Sequence, residues 1–286
     1  MFKDRPLDTI RRIVGKAALA SICFLCAGAG AAQACQGVDS VCETVDGTYR
    51  IVLPDVAEAP SVLLLHGAGA SGAAMMRMRE VVDTITGRGY AVIAPDGLGR
   101  AGRNGGFWSF RPDDTERRND AAFLAQVVDD AVSRHGIDPE RVILAGFSNG
   151  AFLTTAIACR TPGAFAAYAP IAGGFWRPHP ERCAGPVRLL QTHGWSDGTV
   201  PLEGRPLGGG RYLQGDIVEG LALFRAANAC ETPAPTSYAQ SGPFLRRAWA
   251  CTPGSALEFA LHPGGHRVPE GWADLTLDWF ETLPRD

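Results

Sequence analysis

The sequence predicts an α/β fold in which a mostly parallel central sheet is covered by helices on both faces. Short, almost entirely aliphatic runs such as residues 61–65 alternate with stretches of helical periodicity such as residues 119–135. That alternation is typical of parallel strands joined by helical crossovers. Beyond residue 34 the chain has no 20–50-residue repeat, low-complexity tract or linker, which favours one domain over residues 35–286.

The elements follow from local patterns along the chain. Short apolar runs predict strands at residues 49–53, 61–65, 90–94, 142–145, 165–171, 187–191, 246–250 and 257–261. Apolar residues at helical spacing predict helices at residues 73–85, 119–135, 151–158, 217–227 and 272–283. Residues 98–118 are rich in Gly and Arg and are expected to form an irregular loop.

The first 34 residues have the pattern of a secretory signal. A basic start is followed by an apolar or small stretch at residues 17–32 and by Ala32-Gln33-Ala34, a small-x-small cleavage site. The stretch is too short and too rich in Gly and Ala for a stable membrane span. The alternatives are a retained N-terminal anchor helix and, from Arg11-Arg12, twin-arginine export. We therefore expect a secreted or periplasmic protein.

Charge and cysteine content narrow the function classes further. A formal net charge of −3, without a basic stripe outside the leader, argues against nucleic acid or an anionic membrane as partner. Six of the eight cysteines lie outside the leader, an even number that suggests disulfides between sequence neighbours. The expected pairs are Cys35–Cys42, Cys159–Cys183 and Cys230–Cys251. None has C-x-x-C spacing, so no metal site is expected; lipidation of Cys35 is the alternative to the first pair.

Residues 141–154 carry the strongest functional signal. A β-type run meets Gly146-Phe147-Ser148-Asn149-Gly150, and a helix-forming run follows at once. Strand, G-x-S-x-G and helix in succession are typical of a nucleophile elbow, in which the serine hydroxyl stands free above the sheet. A second match, Gly194-Trp195-Ser196-Asp197-Gly198, is not followed by a helix. The sequence therefore predicts Ser148 as the nucleophile and Ser196 as a loop serine.

A serine hydroxyl needs a base, and the base needs an acid that orients it. In elbow enzymes these partners follow the serine in the order acid, then histidine. His266 stands behind Gly264-Gly265 in the loop after the last strand, and we prefer it to His262 and His179. Asp197 lies in a tight loop after the strand at residues 187–191, whereas Asp216 is more simply a helix N-cap. The predicted triad is thus Ser148, Asp197 and His266.

An acyl-transfer site also needs hydrogen-bond donors for the oxyanion. We assign them to the backbone N–H groups of Asn149 and Ala68, with Gly69 as second choice, while His66 is expected to fix the loop. Trp108, at the carboxyl edge of the sheet, and Trp195 are the candidate substrate contacts. Residues 97–102 match G-x-G-x-x-G, but the absence of a following helix argues against a dinucleotide site, and no cofactor is expected.

With these residues in place, the chain resembles the secreted polyhydroxybutyrate depolymerase-like esterases, which are related to feruloyl and acetylxylan esterases. The matching segments are Leu65-His66-Gly67, Pro95-Asp96-Gly97, residues 137–142, Gly146 to Gly150, residues 165–173, His193-Gly194-x-x-Asp197 and Gly264-Gly265-His266. The resemblance implies an α/β-hydrolase fold, carries Ser148, Asp197 and His266 over as the triad, and agrees with the Cys230–Cys251 pair. Arg267-Val268-Pro269-Glu270 departs from the family's usual Thr-Trp-Pro-Gly, which implies a different wall beside the histidine.

The prediction is a serine carboxylic-ester hydrolase that works through an acyl-enzyme on polyhydroxyalkanoate oligomers or on feruloyl- or acetyl-type esters. A serine peptidase is the rival within enzymes, because the same triad also attacks amides. A non-catalytic secreted binding protein on a hydrolase scaffold is the rival from another class. The sequence predicts neither the acyl and alcohol groups nor the oligomeric state.

Overall fold

The computed structural model describes residues 35–111 and 117–284, and these belong to one compact unit. The predicted leader, residues 1–34, lies outside the described residues. Within the described part of the chain, no helix has the length and apolar character needed to cross a bilayer.

The centre of the fold is a ten-stranded sheet in the order β1-β2-β4-β3-β7-β8-β9-β14-β13-β12. The strands that build this sheet and two small hairpins are β1 (Cys42–Glu43), β2 (Thr48–Val52), β3 (Ser61–Leu65), β4 (Ala91–Pro95), β5 (Leu98–Arg100), β6 (Arg103–Phe107), β7 (Val142–Phe147), β8 (Ala167–Ile171), β9 (Arg188–Gly194), β10 (Pro206–Leu207), β11 (Tyr212–Leu213), β12 (Ser237–Ser241), β13 (Phe244–Trp249) and β14 (Ala256–His262). From β4 to β14 every neighbouring pair is parallel, and both ends of the sheet are antiparallel. The carboxyl ends of the parallel strands therefore share one edge.

Helices cover both faces of this sheet, as the alternating pattern predicts. They are α1 (Gly72–Met76), α2 (Arg79–Gly87), α3 (Asp120–His135), α4 (Asn149–Arg160), α5 (Ile217–Ala227) and α6 (Trp272–Glu281). The first buried cluster joins α3, α4 and α5 to one face of the strands, and the second joins α1, α2 and α6 to the other. Alternate residues of β3 point to opposite clusters, Leu63 and Leu65 to the first and Val62 and Leu64 to the second. Burial on both faces explains the unbroken aliphatic character of this strand.

Two predicted elements differ from the structure. The helix expected at residues 73–85 is split into α1 and α2, because Met78 adopts φ −75° and ψ 72° between them. The loop expected at residues 98–118 contains the β5–β6 hairpin, which turns at Gly102. Its strands are rich in Gly and Arg and mostly exposed, so they lack the apolar alternation by which a strand is recognised.

All three expected disulfides are present. Cys35–Cys42, Cys159–Cys183 and Cys230–Cys251 are bonded pairs, so the choice of sequence neighbours is confirmed. His135 lies with Cys35 and Cys42 in a group whose ligand atoms are within 4.8 Å of one another. Because the two sulfurs are bonded to each other, they offer no thiolates to a metal ion.

Candidate active site

The turn from β7 into α4 has the geometry of a nucleophile elbow. Ser148 sits at φ 56° and ψ −112°, a backbone conformation that non-glycine residues rarely adopt. A Cβ at Gly146 would lie 2.5 Å from the carbonyl carbon of Gly150, and a Cβ at Gly150 would lie 2.7 Å from Leu65 Cβ. The two glycines are therefore required by close backbone approach on either side of the serine.

Ser148, His266 and Asp197 form a continuous hydrogen-bonded chain. His266 Nε2 lies 2.9 Å from Ser148 Oγ, and His266 Nδ1 lies 2.8 Å from Asp197 Oδ2. Since a carboxylate only accepts, Nδ1 carries the proton and Nε2 is left to accept the serine hydroxyl. The geometry is that of a base poised to deprotonate the serine.

Two neighbouring parallel strands bring the base and the acid together. Asp197 follows β9 and His266 follows β14, which pair in parallel up to His262 opposite Gly194. A Cβ at Gly194 would lie 2.3 Å from Gly264 O, so the two loops pack backbone against backbone. Asp197 and His266, 69 positions apart in the chain, thus meet because β9 and β14 end at the same edge of the sheet.

The Asp197 carboxylate is held in one orientation. It is buried, and its Oδ1 accepts the N–H groups of Thr199 and Val200, each at 2.8 Å. These two bonds leave Oδ2 directed to His266. A buried carboxylate with fixed donors keeps the imidazole in a single tautomer and stabilises the imidazolium that forms on proton transfer.

The other histidines lie outside this chain of hydrogen bonds. His262 Nδ1 accepts the N–H of Gly264 at 3.0 Å, and His179 lies 3.2 Å from a carboxylate oxygen of Glu219. His193 is buried 3.7 Å from Asp197 Oδ2, and its Nε2–H donates to Val200 O at 2.8 Å. Burial lowers the pKa of both His193 and His262, so both stay neutral and brace the loops.

The loop after β3 packs directly against the serine. A Cβ at Gly67 would lie 3.5 Å from Ser148 Cβ. The Gly69 N–H is already donated to Gly106 O at 2.9 Å, whereas Ala68 N–H has no acceptor among the described residues. Asn149 N–H belongs to the first turn of α4, where a helix has no internal acceptor. The free N–H groups of Asn149 and Ala68 lie beside Ser148. This favours Ala68 over Gly69 as the second oxyanion donor.

The structure places Trp108 in the core, so the expectation that it is a wall of the substrate site is wrong. Trp108 is 0% exposed, and its indole N–H donates to His66 O at 2.9 Å. Its backbone N–H donates to Asn149 Oδ1 at 2.8 Å. Its loop position suggested a surface residue, but the tertiary contacts turn it inward to hold the β3 loop against α4.

Two supporting residues were not identified from the sequence. The sequence pattern points only to the backbone N–H of Asn149, but its side-chain Oδ1 also accepts the Trp108 N–H. Asp120 is buried and accepts the Ser109 N–H at 2.6 Å and the Arg118 Nε–H at 2.6 Å. Burial raises the pKa of Asp120, an effect that the neighbouring N–H and guanidinium donors oppose. A carboxylate at the start of a helix is ordinarily interpreted as a residue that stabilises the helix end. No sequence signal therefore distinguishes that role from the one Asp120 has here, which is to bind Ser109 and Arg118.

His66 has the bracing role expected of it. Its Nδ1–H donates to Gly67 O at 2.7 Å and its Nε2 accepts the Gly97 N–H at 2.9 Å. Burial lowers its pKa, which keeps the ring neutral as this pair of bonds requires. The ring thereby connects the β3 loop to the segment after β4.

Three further features singled out in the sequence are Trp195, Ser196 and residues 97–102. Trp195, two residues before Asp197 in the chain, is 52% exposed. Ser196 is also exposed and binds Gly264 O through its hydroxyl at 3.1 Å. Residues 97–102 lie in the β5–β6 hairpin and not before a helix, so no helix N-terminus is present there for a pyrophosphate.

Sequence comparisons find similarity to hydrolytic enzymes, namely a peptidase family, a depolymerase and an esterase. The profile of the prolyl oligopeptidase family (peptidase S9) matches residues 76–175, which include Ser148 but end before Asp197 and His266. Poly(3-hydroxyalkanoate) depolymerase C of Paucimonas lemoignei is 37% identical over 129 residues, 45% of this chain and 30% of that protein. NocK of Nocardia uniformis subsp. tsuyamanensis, for which esterase activity is only inferred, is 29% identical over 235 residues, 74% of this chain and 66% of that protein. The chain covers less than two thirds of the length of either relative.

Solved structures confirm the expected fold. An acetyl xylan esterase from Aspergillus awamori superposes with a TM-score of 0.59 at 16% identity, over 82% of this chain and 93% of that one. A carboxylesterase from Mesorhizobium loti superposes with a TM-score of 0.56 at 18% identity, over 85% of this chain and 98% of that one. At these identities the likeness establishes the architecture alone, which is that of an α/β-hydrolase.

Proposed function

We propose that this protein is an esterase of the α/β-hydrolase superfamily and that it hydrolyses carboxylic esters through an acyl-enzyme on Ser148. The observation that carries the proposal is the hydrogen-bonded chain Ser148–His266–Asp197, with heavy-atom distances of 2.9 and 2.8 Å. Fold alone would not support a reaction, but a nucleophile, a base and an orienting acid in mutual contact do.

In the acylation half, Ser148 Oγ attacks the ester carbonyl carbon while its proton passes to His266 Nε2. The carbonyl oxygen becomes an oxyanion that accepts the N–H groups of Asn149 and Ala68, and each such donor contributes about 2.7–4 kcal/mol to lowering the barrier. The imidazolium, stabilised by Asp197, then protonates the departing alkoxide as the C–O bond breaks. An acyl-Ser148 ester and a free alcohol result.

In the second half, water takes the place of the alcohol. His266 removes a proton from the water as its oxygen attacks the acyl carbon, and the same N–H groups hold the second oxyanion. Collapse of this intermediate breaks the bond to Ser148 Oγ, which recovers its proton from the imidazolium. The products are a carboxylic acid and the restored serine.

The finer substrate class we propose is polyhydroxyalkanoate oligomers or feruloyl- or acetyl-type esters, with Trp195 at the mouth of the site. The name of the Paucimonas lemoignei relative supports the first and that of the Aspergillus awamori neighbour supports the acetyl type. We also propose export, because three disulfides are typical of an oxidising compartment and residues 1–34 have a leader pattern.

Ser148→Ala tests the proposal. We expect the variant to lose p-nitrophenyl butyrate hydrolysis by about 10⁶-fold in kcat, because the triad acts as a unit. It should also no longer be labelled by a fluorophosphonate, while Ser196→Ala keeps both the activity and the labelling. Hydrolysis by Ser148→Ala at the parent rate would refute the assignment, and an unlabelled, inactive parent protein would favour a binding role instead.

A serine peptidase is the second candidate, because the matched profile over residues 76–175 is that of a peptidase family. The same triad attacks amides, whose leaving group must be protonated by His266 as the C–N bond breaks. Turnover of a matched ester and anilide with one acyl group separates the two activities. We expect the ester to dominate; comparable kcat/KM values on the anilide would establish the peptidase.

A further inference from the structure

A pocket of about 1480 Å³ lies beside helix α4 and outside the triad itself. Its lining includes Phe152, which lies one helical turn after Ser148 in α4 and donates its N–H to Ser148 O at 3.1 Å. On the other side the lining residue Gly174 follows Gly173, where a Cβ would lie 2.8 Å from Ser148 O. From there the pocket follows α4 as far as Arg160.

The wall opposite α4 is held in place by several contacts. The Cys159–Cys183 disulfide joins the end of α4 to the loop at residues 175–184. The backbone of that loop is also bonded to the β11 region, through Arg177 N–H to Leu213 O at 2.8 Å and Gly215 N–H to Phe175 O at 2.8 Å. The pocket is therefore a built feature of the fold, with walls fixed on both sides.

The charge of this lining is opposite to that of the whole chain. The chain carries a formal net charge of −3, yet among the described residues the lining contains one acidic residue, Glu181, against five arginines, Arg111, Arg160, Arg177, Arg182 and Arg211. Arg177 is paired with Glu219 at 3.0 Å. Over the described residues, Arg160, Arg182 and Arg211 have no carboxylate within salt-bridge distance. Cationic groups collected in a concave site attract and orient anions.

An apolar aromatic surface lies between these cations. Trp176 packs edge-on against Phe110 and Phe152, with ring centroids 5.5 and 5.6 Å apart, and lies 5.7 Å from Tyr212. Arg111 stacks over Tyr212 at 4.5 Å. An apolar floor edged by guanidinium groups fits a ligand that has an extended apolar body and an anionic end.

We propose that this pocket binds a carboxylate at the far end of the substrate, so that the preferred esters are long or oligomeric acids. This inference rests on the proposed function, because it places the ester bond at Ser148. Arg160 lies twelve positions after Ser148 on the same helix, about 18 Å along its axis at 1.5 Å per residue. A short acid spans too little of this length to reach Arg160.

Two matched pairs of p-nitrophenyl esters test the proposal. The mono-sebacate ester is compared with the decanoate, and the mono-succinate ester with the butyrate, so that each pair differs only in a terminal carboxylate. For each pair we divide kcat/KM for the acidic ester by kcat/KM for the neutral ester. We expect this ratio to be at least about fivefold higher for the sebacate–decanoate pair than for the succinate–butyrate pair. Added NaCl should lower that ratio, because these arginines are exposed to solvent.

The double variant Arg182→Gln/Arg211→Gln should lower the long-pair ratio by about fourfold, since an exposed charge pair is worth about twofold. Arg182→Glu/Arg211→Glu should reverse the preference, and Arg247→Gln, an exposed arginine on β13 outside the pocket, is the charge-matched control. If the neutral esters are hydrolysed but the ratios do not depend on length or on these arginines, the pocket assignment is wrong and the proposed function stands. If no ester is hydrolysed, the proposed function fails and the inference fails with it.

Discussion

At the scale of single residues, Asn149 acts through two different atoms. Its backbone N–H belongs to the first turn of α4 beside Ser148, and its side-chain Oδ1 accepts the Trp108 N–H at 2.8 Å. The Trp108 indole in turn binds His66 O, and the neighbouring Gly106 carbonyl holds Gly69. The side chain thus positions the loop that carries the second proposed oxyanion donor, while the backbone supplies the first.

Asn149→Ala separates these roles, because it keeps the backbone N–H and removes the side-chain acceptor. We expect the free energy of unfolding to fall by about 1–3 kcal/mol, because the buried Trp108 N–H loses its acceptor. We also expect kcat to fall about tenfold, less than the 10²–10³ for loss of an oxyanion donor, because Ala68 is only displaced. Urea denaturation and ester kinetics measure the two quantities.

Asn228→Ala is the matched control. Asn228 is also buried, and its Oδ1 accepts the Val187 N–H at 2.7 Å at the start of β9, away from the triad. Its Nδ2 also donates to Val187 O at 2.9 Å, so the variant should lose at least as much stability as Asn149→Ala, with kcat unchanged. If Asn149→Ala behaved in the same way, its side chain would be purely structural.

At the scale of elements, the elbow depends on how closely β7, α4 and β3 pack. A Cβ at Gly150 would approach Leu65 Cβ and Leu65 O to 2.7 Å each, and His66 O to 2.8 Å. Two of these three atoms belong to backbone at the end of a buried strand, so they cannot rotate away. The β-strand and the helix can meet at this turn only when residue 150 has no side chain.

Gly150→Ala is therefore expected to be destabilising, although alanine is the better helix former by about 1 kcal/mol. We expect a net loss of about 1–3 kcal/mol from overpacking, with a larger loss of activity because Ser148 is displaced. Gly163→Ala is the control, since no atom lies within 4 Å of a Cβ there. Equal stability of the two variants in thermal unfolding would contradict the close packing of the elbow.

At the scale of the whole molecule, buried histidines connect stability to pH. His66, His193 and His262 are buried, and burial lowers the pKa of each below its ordinary 6.5. The folded protein keeps these rings neutral, whereas the unfolded chain binds protons once the pH falls below about 6.5. Protons therefore favour the unfolded state in that range.

We expect the free energy of unfolding to be constant between about pH 7.5 and 8.5 and to decrease as the pH falls from about 6.5 towards 5.5. Each histidine contributes up to about 1.4 kcal/mol per pH unit. Urea midpoints measured across this range, which lies above most carboxylate titrations, test the expectation. His66→Gln should reduce the slope; a slope equal to that of the parent would show that His66 does not contribute.

The order of most elements, the elbow at Ser148 and the cysteine pairs are predictable from the sequence alone. These follow from local chemistry: aliphatic runs, glycines on either side of a serine, and cysteines close in the chain. The sequence also selects Asp197 and His266, because the carboxyl ends of parallel strands meet at one edge.

The sequence does not predict which atoms stay free and which become buried, and these are visible only in the folded protein. Trp108 turns inward, Gly69 N–H is donated to Gly106 O, and arginines from four separate segments of the chain line one pocket. Each of these depends on packing between distant segments, which no local pattern records.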